Sequence, residues 1–287
     1  MSDPLLFLHT RLRLEEKLLL QVLARRGVDF QTQDLRKLQL HLDSPAEIAA
    51  SLVWDRSLSF GRSLAAMQVF ASNGVTCLND PAVIATCGDK LRTQLALTEH
   101  GLPTPRTRAC FSPEAALEAC EELGYPVVTK PTVGSWGRLA SRLNDRDAAE
   151  AVFEHRDTLG DWTHGVLFLQ EYVDKPGRDL RVFVIGDEVI AAIERRSEHW
   201  ITNTARGAQT ANRALEPDLV RLAQQAAAAV GGGQLAIDLI ERRDGELLVL
   251  EVNHSMEFRN SIEVTGVDIP GRMVDDALTR SQEGVPG

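Results

Sequence analysis

The alternation of apolar and polar positions is clearest near the C-terminus, where two apolar runs lie on either side of Asp244-Gly245. An Asp-Gly pair in this setting predicts a hairpin with a two-residue turn, because both turn residues then adopt positive φ. That turn places Asp238 directly opposite Glu251, and Asn253 lies on the same face because side chains alternate along a strand. The other face, predicted to be core, carries Ile237, Leu239, Leu248, Leu250 and Val252.

The shared face of this hairpin has the donors of a cation site. Two carboxylates that face each other repel, and a bound cation relieves that repulsion. All the donors are hard oxygens, which suits Mg²⁺, with Mn²⁺ as the alternative, rather than zinc. Mg²⁺ commonly completes its shell with water and substrate phosphates, so the pattern indicates a nucleotide–metal site. An acidic face paired with nearby arginines is the alternative, and the hairpin alone does not decide between the two.

The N-terminal pattern predicts a small parallel sheet. An apolar run at Leu5–His9 is typical of a buried strand, an amphipathic helix follows at 12–26, and a second strand starts at Val28. A β–α–β opening of this kind favours parallel pairing. The remaining elements predicted before Pro81, where we place the end of the first domain, are a loop at 54–61, a helix at 64–72 and a strand at 75–78.

The middle of the chain carries two lysines beside a glycine-rich loop. One predicted helix, 82–100, contains Lys90, and a predicted strand ends in Lys130, directly before the loop at 132–138. This arrangement lets a lysine and backbone N–H groups approach phosphates. The loop matches neither G-x-x-x-x-G-K-[ST] nor G-x-G-x-x-G, so a flexible linker is an equally good interpretation. Trp136 inside it would either cover the reacting group or anchor the loop to the core.

Composition narrows the class of protein. The chain has 287 residues, 44% of them hydrophobic and 25% charged, which is ordinary for a soluble globular protein of one to three domains. A net charge of −10 disfavours sequence-independent binding of nucleic acid. We find no signal peptide and no 18-residue apolar run, so we expect a cytoplasmic protein without a membrane segment. The four cysteines form no C-x-x-C pair and are expected to be reduced, and no G-x-S-x-G motif is present.

One segment departs from the overall acidity. Residues 175–213 hold seven basic and five acidic side chains, a net charge of +2 in a chain of −10. A local excess of positive charge indicates an anionic ligand. Surface ion pairing is the alternative.

The order of these features resembles that of the ATP-grasp carboxylate–amine ligases over nearly the whole chain, closest to the branch related to ribosomal-protein glutamate ligase. Residues 251–261 and 265–271 are similar to the lysine-biosynthesis ligases that join 2-aminoadipate to a small acidic amino-group carrier protein. The segments that carry the resemblance are Lys90, Lys130-Pro131, the loop 134–137, residues 170–173, residues 178–181, Arg195, Asp238 and residues 251–253.

The resemblance implies an α/β ATP-grasp fold in three parts. These are an N-terminal Rossmann-like parallel-sheet domain at 1–81, a central α+β subdomain with the phosphate loop at 82–170, and a C-terminal antiparallel-sheet subdomain with the metal site at 171–287. It also implies ATP, two Mg²⁺ ions and a homo-oligomer.

The resemblance further implies a role for each matching residue. ATP would be bound by Lys90, Lys130, Gly134, Ser135, Trp136, Gly137, Arg138, Gln170, Glu171, Tyr172, Val173, Asp179 and Arg181. The metal ions would be held by Asp238, Glu251 and Asn253. The catalytic residues beside the transferred phosphate and the substrates would be Arg195, Asn203 and Arg206. The substrate would be bound by Glu257, Phe258, Arg259, Asn260, Ser261 and Thr265, with Asn260-Ser261 matching the pair associated with aminoadipate.

The implied reaction converts the side-chain carboxylate of the carrier's C-terminal glutamate into an acyl phosphate, which the amino group of 2-aminoadipate then attacks. Positioning and charge neutralisation would dominate the catalysis. We expect Arg178, Arg196 and Arg213 to steer the acidic carrier. The alternatives are the same chemistry on glutamate, in arginine biosynthesis or on a ribosomal-protein tail, and a non-catalytic nucleotide-binding scaffold.

Overall fold

The computed structural model describes residues 3–43, 49–160, 165–202 and 207–283. Within these residues the chain forms three sheets, one after another along the sequence. The predicted catalytic residues Asn203 and Arg206 lie outside the described residues. No described helix is both long enough and apolar enough to cross a membrane.

The first sheet is parallel, as predicted, with strand order β2-β1-β3-β4. The predicted loop at 54–61 is wrong at its start, because Trp54 and Asp55 belong to β3. Trp54 is buried between neighbouring strands, and three consecutive apolar residues are typical of such an inner strand. The elements are β1 Leu5–His9, α1 Leu14–Arg25, β2 Phe30–Asp34, a 3₁₀ turn Leu35–Lys37, β3 Leu52–Asp55, α2 Phe60–Ser72 and β4 Cys77–Leu78.

The predicted helix 82–100 is two helices, α3 Pro81–Cys87 and α4 Lys90–Glu99. The break falls at Gly88-Asp89, where the Asp89 carboxylate accepts hydrogen bonds from the first backbone N–H groups of α4 and caps it. The cap places Lys90 at the first residue of α4, so its side chain leaves the helix at the N-terminus instead of the middle.

The second sheet is antiparallel, with strand order β5-β8-β6-β7, and α5 and α6 cover it. Its core includes Phe153 and Leu169 and is separate from the other cores. Lys130 ends β6, as predicted. The elements are β5 Thr107–Cys110, α5 Pro113–Leu123, β6 Val127–Lys130, β7 Ser141–Leu143, α6 Arg146–Leu159 and β8 Leu167–Glu171.

The third sheet is antiparallel, with strand order β11-β10-β9-β12-β13. Helix α7 packs on one face, and a core shared with the parallel sheet, including Trp54 and Phe258, covers the other. The three-part α/β architecture is therefore the predicted one. The elements are β9 Arg178–Ile185, β10 Glu188–Arg196, β11 Gln209–Asn212, α7 Pro217–Ala229, β12 Gln234–Glu241, β13 Leu247–Asn253, α8 Ile262–Thr265 and α9 Ile269–Glu283.

The β12–β13 hairpin has the predicted pairing of Asp238 with Glu251, but it reaches that pairing by a different route. The Arg242 N–H donates to the Glu246 carbonyl at 2.8 Å, so the turn holds three residues, of which only Gly245 has positive φ. A β-bulge next to Asp238 adds one extra residue on β13, and this residue brings Glu251 opposite Asp238.

The bulge changes which side chains of β13 face the core. Val249 packs against α7, whereas Leu248 packs with Ile240 and Val173, and Leu250 lines a cleft. The prediction that Leu248 and Leu250 belong to the same core face as Val252 is therefore wrong.

Asn79 joins the parallel sheet to the third sheet. Its side chain accepts a hydrogen bond from the Gln234 N–H at 2.7 Å and donates to the carbonyls of Gln234 and His254 at 3.0 and 2.7 Å. Gly233 leaves room for this contact, since a Cβ there would lie 2.2 Å from the Asn79 Oδ1 atom. These bonds hold the start of β12 and the end of β13 against the first domain.

Candidate active site

A deep cleft, here called the main cleft, lies between the second and third sheets. It brings together every residue predicted to bind ATP except Arg181, which faces neighbouring cavities. The predicted site residues that line it are Lys90, Lys130, Gly134, Ser135, Trp136, Gly137, Arg138, Gln170, Glu171, Tyr172, Val173, Asp179, Arg195, Asp238 and Glu251.

Two lysines line the main cleft together with the loop 134–138. The Lys90 Nζ atom donates to the Gly134 carbonyl at 2.7 Å and lies 3.3 Å from the Glu251 Oε1 atom. The Lys130 Nζ atom donates to the Gln170 side chain at 2.8 Å. Burial lowers the pKa of Lys130 to about 8, against the opposing effect of Glu251, so an anion that replaces lost water would stabilise its charge.

The far end of the main cleft is apolar and partly aromatic. Val173 packs with Ile240 and Leu248, and the Tyr172 and Trp200 rings lie 6.4 Å apart. The Glu171 N–H already donates to the Arg106 carbonyl at 2.9 Å, so this N–H is not free for an adenine base. A flat apolar wall of this kind suits a nucleobase.

Asp238 and Arg195 form the centre of a buried charge network. Arg181 donates to both Asp238 oxygens, at 2.8 and 2.9 Å, and an Arg195 nitrogen lies 3.3 Å from the Asp238 Oδ1 atom. Arg195 also donates to Asp179 at 2.6 Å, and Thr202 donates to the other Asp179 oxygen. Burial acts to raise the pKa of Asp238, but Arg181 and Arg195 outweigh it and hold the pKa at about 2.

The hairpin residues can bind a divalent cation only if a substrate supplies further ligands. Asp238 and Glu251 lie on one face, and the Asn253 side chain donates to Asp238 at 3.4 Å. Arginines take three of the roughly four acceptor positions of the Asp238 carboxylate, whereas the one ion pair of Glu251 among the described residues is with Lys90.

The part of the chain that the structure describes holds no group of three or more His, Cys, Asp or Glu that would bind a metal unaided. Mg²⁺ would therefore need phosphate oxygens and water to complete its shell. Asp238 also shows that the alternative interpretation, arginine pairing, holds for one of the two acids.

The loop 134–138 closes over the main cleft without entering the core. Trp136 is 37% exposed, and its Nε1 atom lies 3.3 Å from both Glu257 carboxylate oxygens. The Arg138 guanidinium stacks 4.7 Å from the centre of the Trp136 ring. Glu257 in turn accepts from Arg13 at 2.7 Å, so the loop is linked to the first domain. This contact favours a covering role for Trp136 over a core anchor.

Two further cavities continue from the main cleft. The second cavity shares the loop, Asp238 and Glu251 with the main cleft and is also lined by Arg13, Phe60, Asn253, His254 and Glu257. The third cavity is lined by Arg13, Glu15, Trp136, Arg181, Ile193, Arg195, Glu257, Arg259, Asn260 and Ser261. Arg195 borders all three and is buried at their junction.

The residues predicted to bind substrate divide into two groups. Glu257, Arg259, Asn260 and Ser261 line the third cavity. Phe258 does not, because its side chain is fully buried in the core shared by the first and third sheets. Thr265 is not a lining residue either, and its hydroxyl donates to the Ser261 carbonyl at 2.6 Å.

Sequence reasoning missed Arg13, Lys175 and Thr202 as cavity residues. Arg13 follows β1, and in an open parallel sheet ligands bind beyond the carboxyl ends of the strands, so this position carried a usable signal. Lys175 lines the main cleft and donates to Thr202 at 2.7 Å. The position of Lys175 in the basic segment was the one sequence feature that indicated a role in the site.

The basic segment is largely compensated by ion pairs. Arg178 binds Glu241 at 2.6 Å, Arg196 binds Glu194 at 2.7 Å, and Arg213 binds Glu216 at 3.0 Å. Surface ion pairing, the alternative interpretation, accounts for these three arginines. Lys175, Arg181 and Arg195 are the basic residues of the segment, among those described, that border the site.

Comparison with known proteins identifies the class that the fold and site define. Residues 87–277 match the RimK-like ATP-grasp domain, and residues 5–86 match the LysX preATP-grasp domain. The chain therefore belongs to the RimK-like ATP-grasp family. A crystal structure of a RimK domain ATP-grasp protein from Sphaerobacter thermophilus covers 96% of this chain and 99% of its own, with a TM-score of 0.81 and 28% identity.

Sequence relatives narrow the class further. The α-aminoadipate–LysW ligase LysX of Saccharolobus solfataricus is 34% identical over 223 residues, which cover 77% of this chain and 81% of that protein. The glutamate–LysW ligase ArgX of Sulfolobus acidocaldarius is 33% identical over 221 residues, covering 76% and 78%. The chain is an ATP-dependent carboxylate–amine ligase.

Proposed function

We propose that this ligase activates the side-chain carboxylate of a carrier protein's C-terminal glutamate as an acyl phosphate and couples it to the amino group of 2-aminoadipate. The observation that carries the proposal is the set of three connected cavities around Arg195, one for each reactant. ATP occupies the main cleft, the glutamate tail enters the second cavity, and the amino acid occupies the third. Relatives with both LysX and ArgX names support a carrier of this type.

The residues of this chain perform the first step by position and charge. Lys90 and Lys130 hold phosphate oxygens, and the loop 134–138 covers them and excludes water. Arg195, fixed by Asp179, faces the oxygens of the transferred phosphoryl group and compensates the charge that develops on them. Divalent cations held by Asp238, Glu251 and Asn253 would supply further charge neutralisation.

The third cavity suits an amino dicarboxylic acid. Arg13, Arg181 and Arg259 offer guanidinium partners for two carboxylates, and Glu15 and Glu257 offer acceptors for an ammonium group. Asn260 and Ser261 line the same cavity and support 2-aminoadipate, as their resemblance to the aminoadipate pair implies.

Glutamate is the second candidate, because the ArgX relative is as similar as the LysX relative. The two amino acids differ by one methylene, a difference that binding alone discriminates by about 10- to 200-fold.

The deciding experiment is mass spectrometry of a candidate carrier after incubation with the enzyme, ATP, Mg²⁺ and equal concentrations of the two amino acids. A mass increase of one aminoadipate, together with a kcat/KM at least about tenfold above that for glutamate, is expected. Exclusive addition of glutamate would replace the first candidate by the second. An unmodified carrier and no ADP release would support a non-catalytic scaffold.

Carrier docking has its own test. Reversal of Arg178, Arg196 or Arg213 to Glu is expected to weaken carrier association and leave ATP affinity intact. Arg196→Glu gives the clearest test of the three variants, because the Arg196 side chain is 59% exposed and its pair with Glu194 contributes little to stability. Unchanged carrier affinity in all three variants would show that the tail is recognised elsewhere.

A further inference from the structure

Glu257 occupies a position that no other described acid shares. It is the one acidic residue, among those described, that lines both the second and the third cavity. Asp238 and Glu251 border the main cleft and the second cavity, and Glu15 borders only the third. A group at Glu257 therefore faces both an activated carboxylate in the second cavity and an amine in the third.

Its carboxylate is fixed through one oxygen. The Glu257 Oε1 atom accepts from the Arg13 Nη1 atom at 2.7 Å. Arg13 is itself fixed, because its Nε and Nη2 atoms donate to the fully buried Glu16 at 3.0 and 2.9 Å. The Glu257 Oε2 atom has only the long contact of 3.3 Å with Trp136 among the described residues. This oxygen has lone pairs left for an amine.

The surrounding charges favour an amino dicarboxylate in one orientation. Arg181 and Arg259 attract its carboxylates, and Glu15 and Glu257 attract its ammonium group. Of the two acids, only Glu257 also borders the cavity of the carbon to be attacked. The ammonium group that can react is therefore the one bound at Glu257.

We propose that Glu257 is the general base of the coupling step, an inference that rests on the proposed function. The Oε2 atom takes one proton from the ammonium group, which leaves a neutral amine with a free lone pair. That lone pair forms the C–N bond with the acyl carbon, and the C–O bond to phosphate breaks. Phosphate leaves with the electron pair and the second amine proton, and Glu257 returns its proton to water.

The inference predicts that two nucleophiles differ in their need for Glu257. An amino acid is protonated at neutral pH and needs a base, whereas hydroxylamine is largely neutral and traps the acyl phosphate without one. The experiment supplies ATP, Mg²⁺ and the carrier, and measures hydroxamate formation and amino acid coupling in wild type, Glu257→Gln and Glu257→Asp. The exposed Glu263, which lines none of the three cavities, gives the matched control Glu263→Gln.

In Glu257→Gln, the ratio of amino acid coupling to hydroxamate formation is expected to fall about 100-fold or more relative to wild type. The remaining coupling should rise about tenfold per pH unit above pH 7, because the amine must then ionise in solution. Glu257→Asp should recover part of the rate, and Glu263→Gln should match wild type in both assays.

Equal losses with both nucleophiles would overturn the inference, because Glu257 would then act in acyl phosphate formation or folding. Full coupling in Glu257→Gln, or a loss of coupling that pH does not relieve, would overturn it as well. A failure of the proposed function is distinguishable: the wild-type enzyme would then form no hydroxamate from the carrier, and the inference would fall with it.

Discussion

Asp238 combines a proposed metal-binding role with a contribution to stability that its partner acid lacks. Asp238 is 6% exposed, and its carboxylate lies between two guanidinium groups that hold its pKa at about 2, below the ordinary value of 3.8. A lowering of this size corresponds to roughly 2 kcal/mol of stability at neutral pH. Asp238→Asn is therefore expected to lose about 2–3 kcal/mol in the free energy of unfolding while the protein still folds.

Glu251→Gln is the matched control. Its side chain is 28% exposed, and its ion pair with Lys90 at 3.3 Å is of the kind that contributes about 1 kcal/mol or less. Both substitutions should abolish acyl phosphate formation, but only Asp238→Asn should lower the urea midpoint at pH 7 appreciably.

The pH dependence of stability gives a second test of the contribution of Asp238. The folded-state pKa of Asp238 lies below its unfolded value, so its contribution is complete above pH 3.8 and is lost as the pH falls towards 2. The difference in unfolding free energy between wild type and Asp238→Asn should shrink over that range. Equal destabilisation by the two substitutions, or a difference that does not change with pH, would refute the reasoning.

Two further predictions concern Lys130 and Asn79. Because the pKa of Lys130 is about 8, ATP affinity measured by calorimetry should fall about fivefold between pH 8 and 9, and Lys130→Met should bind weakly with no such dependence; a pH-independent wild type would contradict this. Asn79→Ala should cost about 2–4 kcal/mol in urea unfolding, because it leaves the buried Gln234 N–H unpaired. Gly233→Ala, whose Cβ would meet Asn79, should be less than additive with it, and strict additivity would rule out that contact as the cause.

The sequence predicted those features that depend on local pattern. The parallel β1–β2 pairing, the strand that ends in Lys130, and the opposition of Asp238 and Glu251 all follow from apolar periodicity and turn residues. The bulge that moves Leu248 and Leu250 to the cleft side does not follow from them. A three-residue turn shifts the pairing by one position and the bulge shifts it back, so Asp238 faces Glu251 with or without both features.

Long-range contacts explain the remaining differences. The resemblance of residues 178–181 predicts that Arg181 binds ATP, yet its side chain pairs with Asp238 on the neighbouring strand. Phe258 lies in a run of polar residues predicted to bind substrate, but the core between two sheets takes its side chain. Arg13 and Glu257 are 244 positions apart, and no local pattern joins them. The proposed roles of the site residues and the homo-oligomer stay predictions.

The shared core of the first and third sheets has a consequence for how reactants enter and leave. Trp54, Phe183 and Met273 belong to one apolar cluster, and Asn79 adds buried hydrogen bonds across the same junction, so these two parts form one packed unit. The second sheet has its own core and meets them across the main cleft. Any opening of the main cleft would therefore separate the second sheet from the other two together, and it would have to break the contact between Trp136 and Glu257.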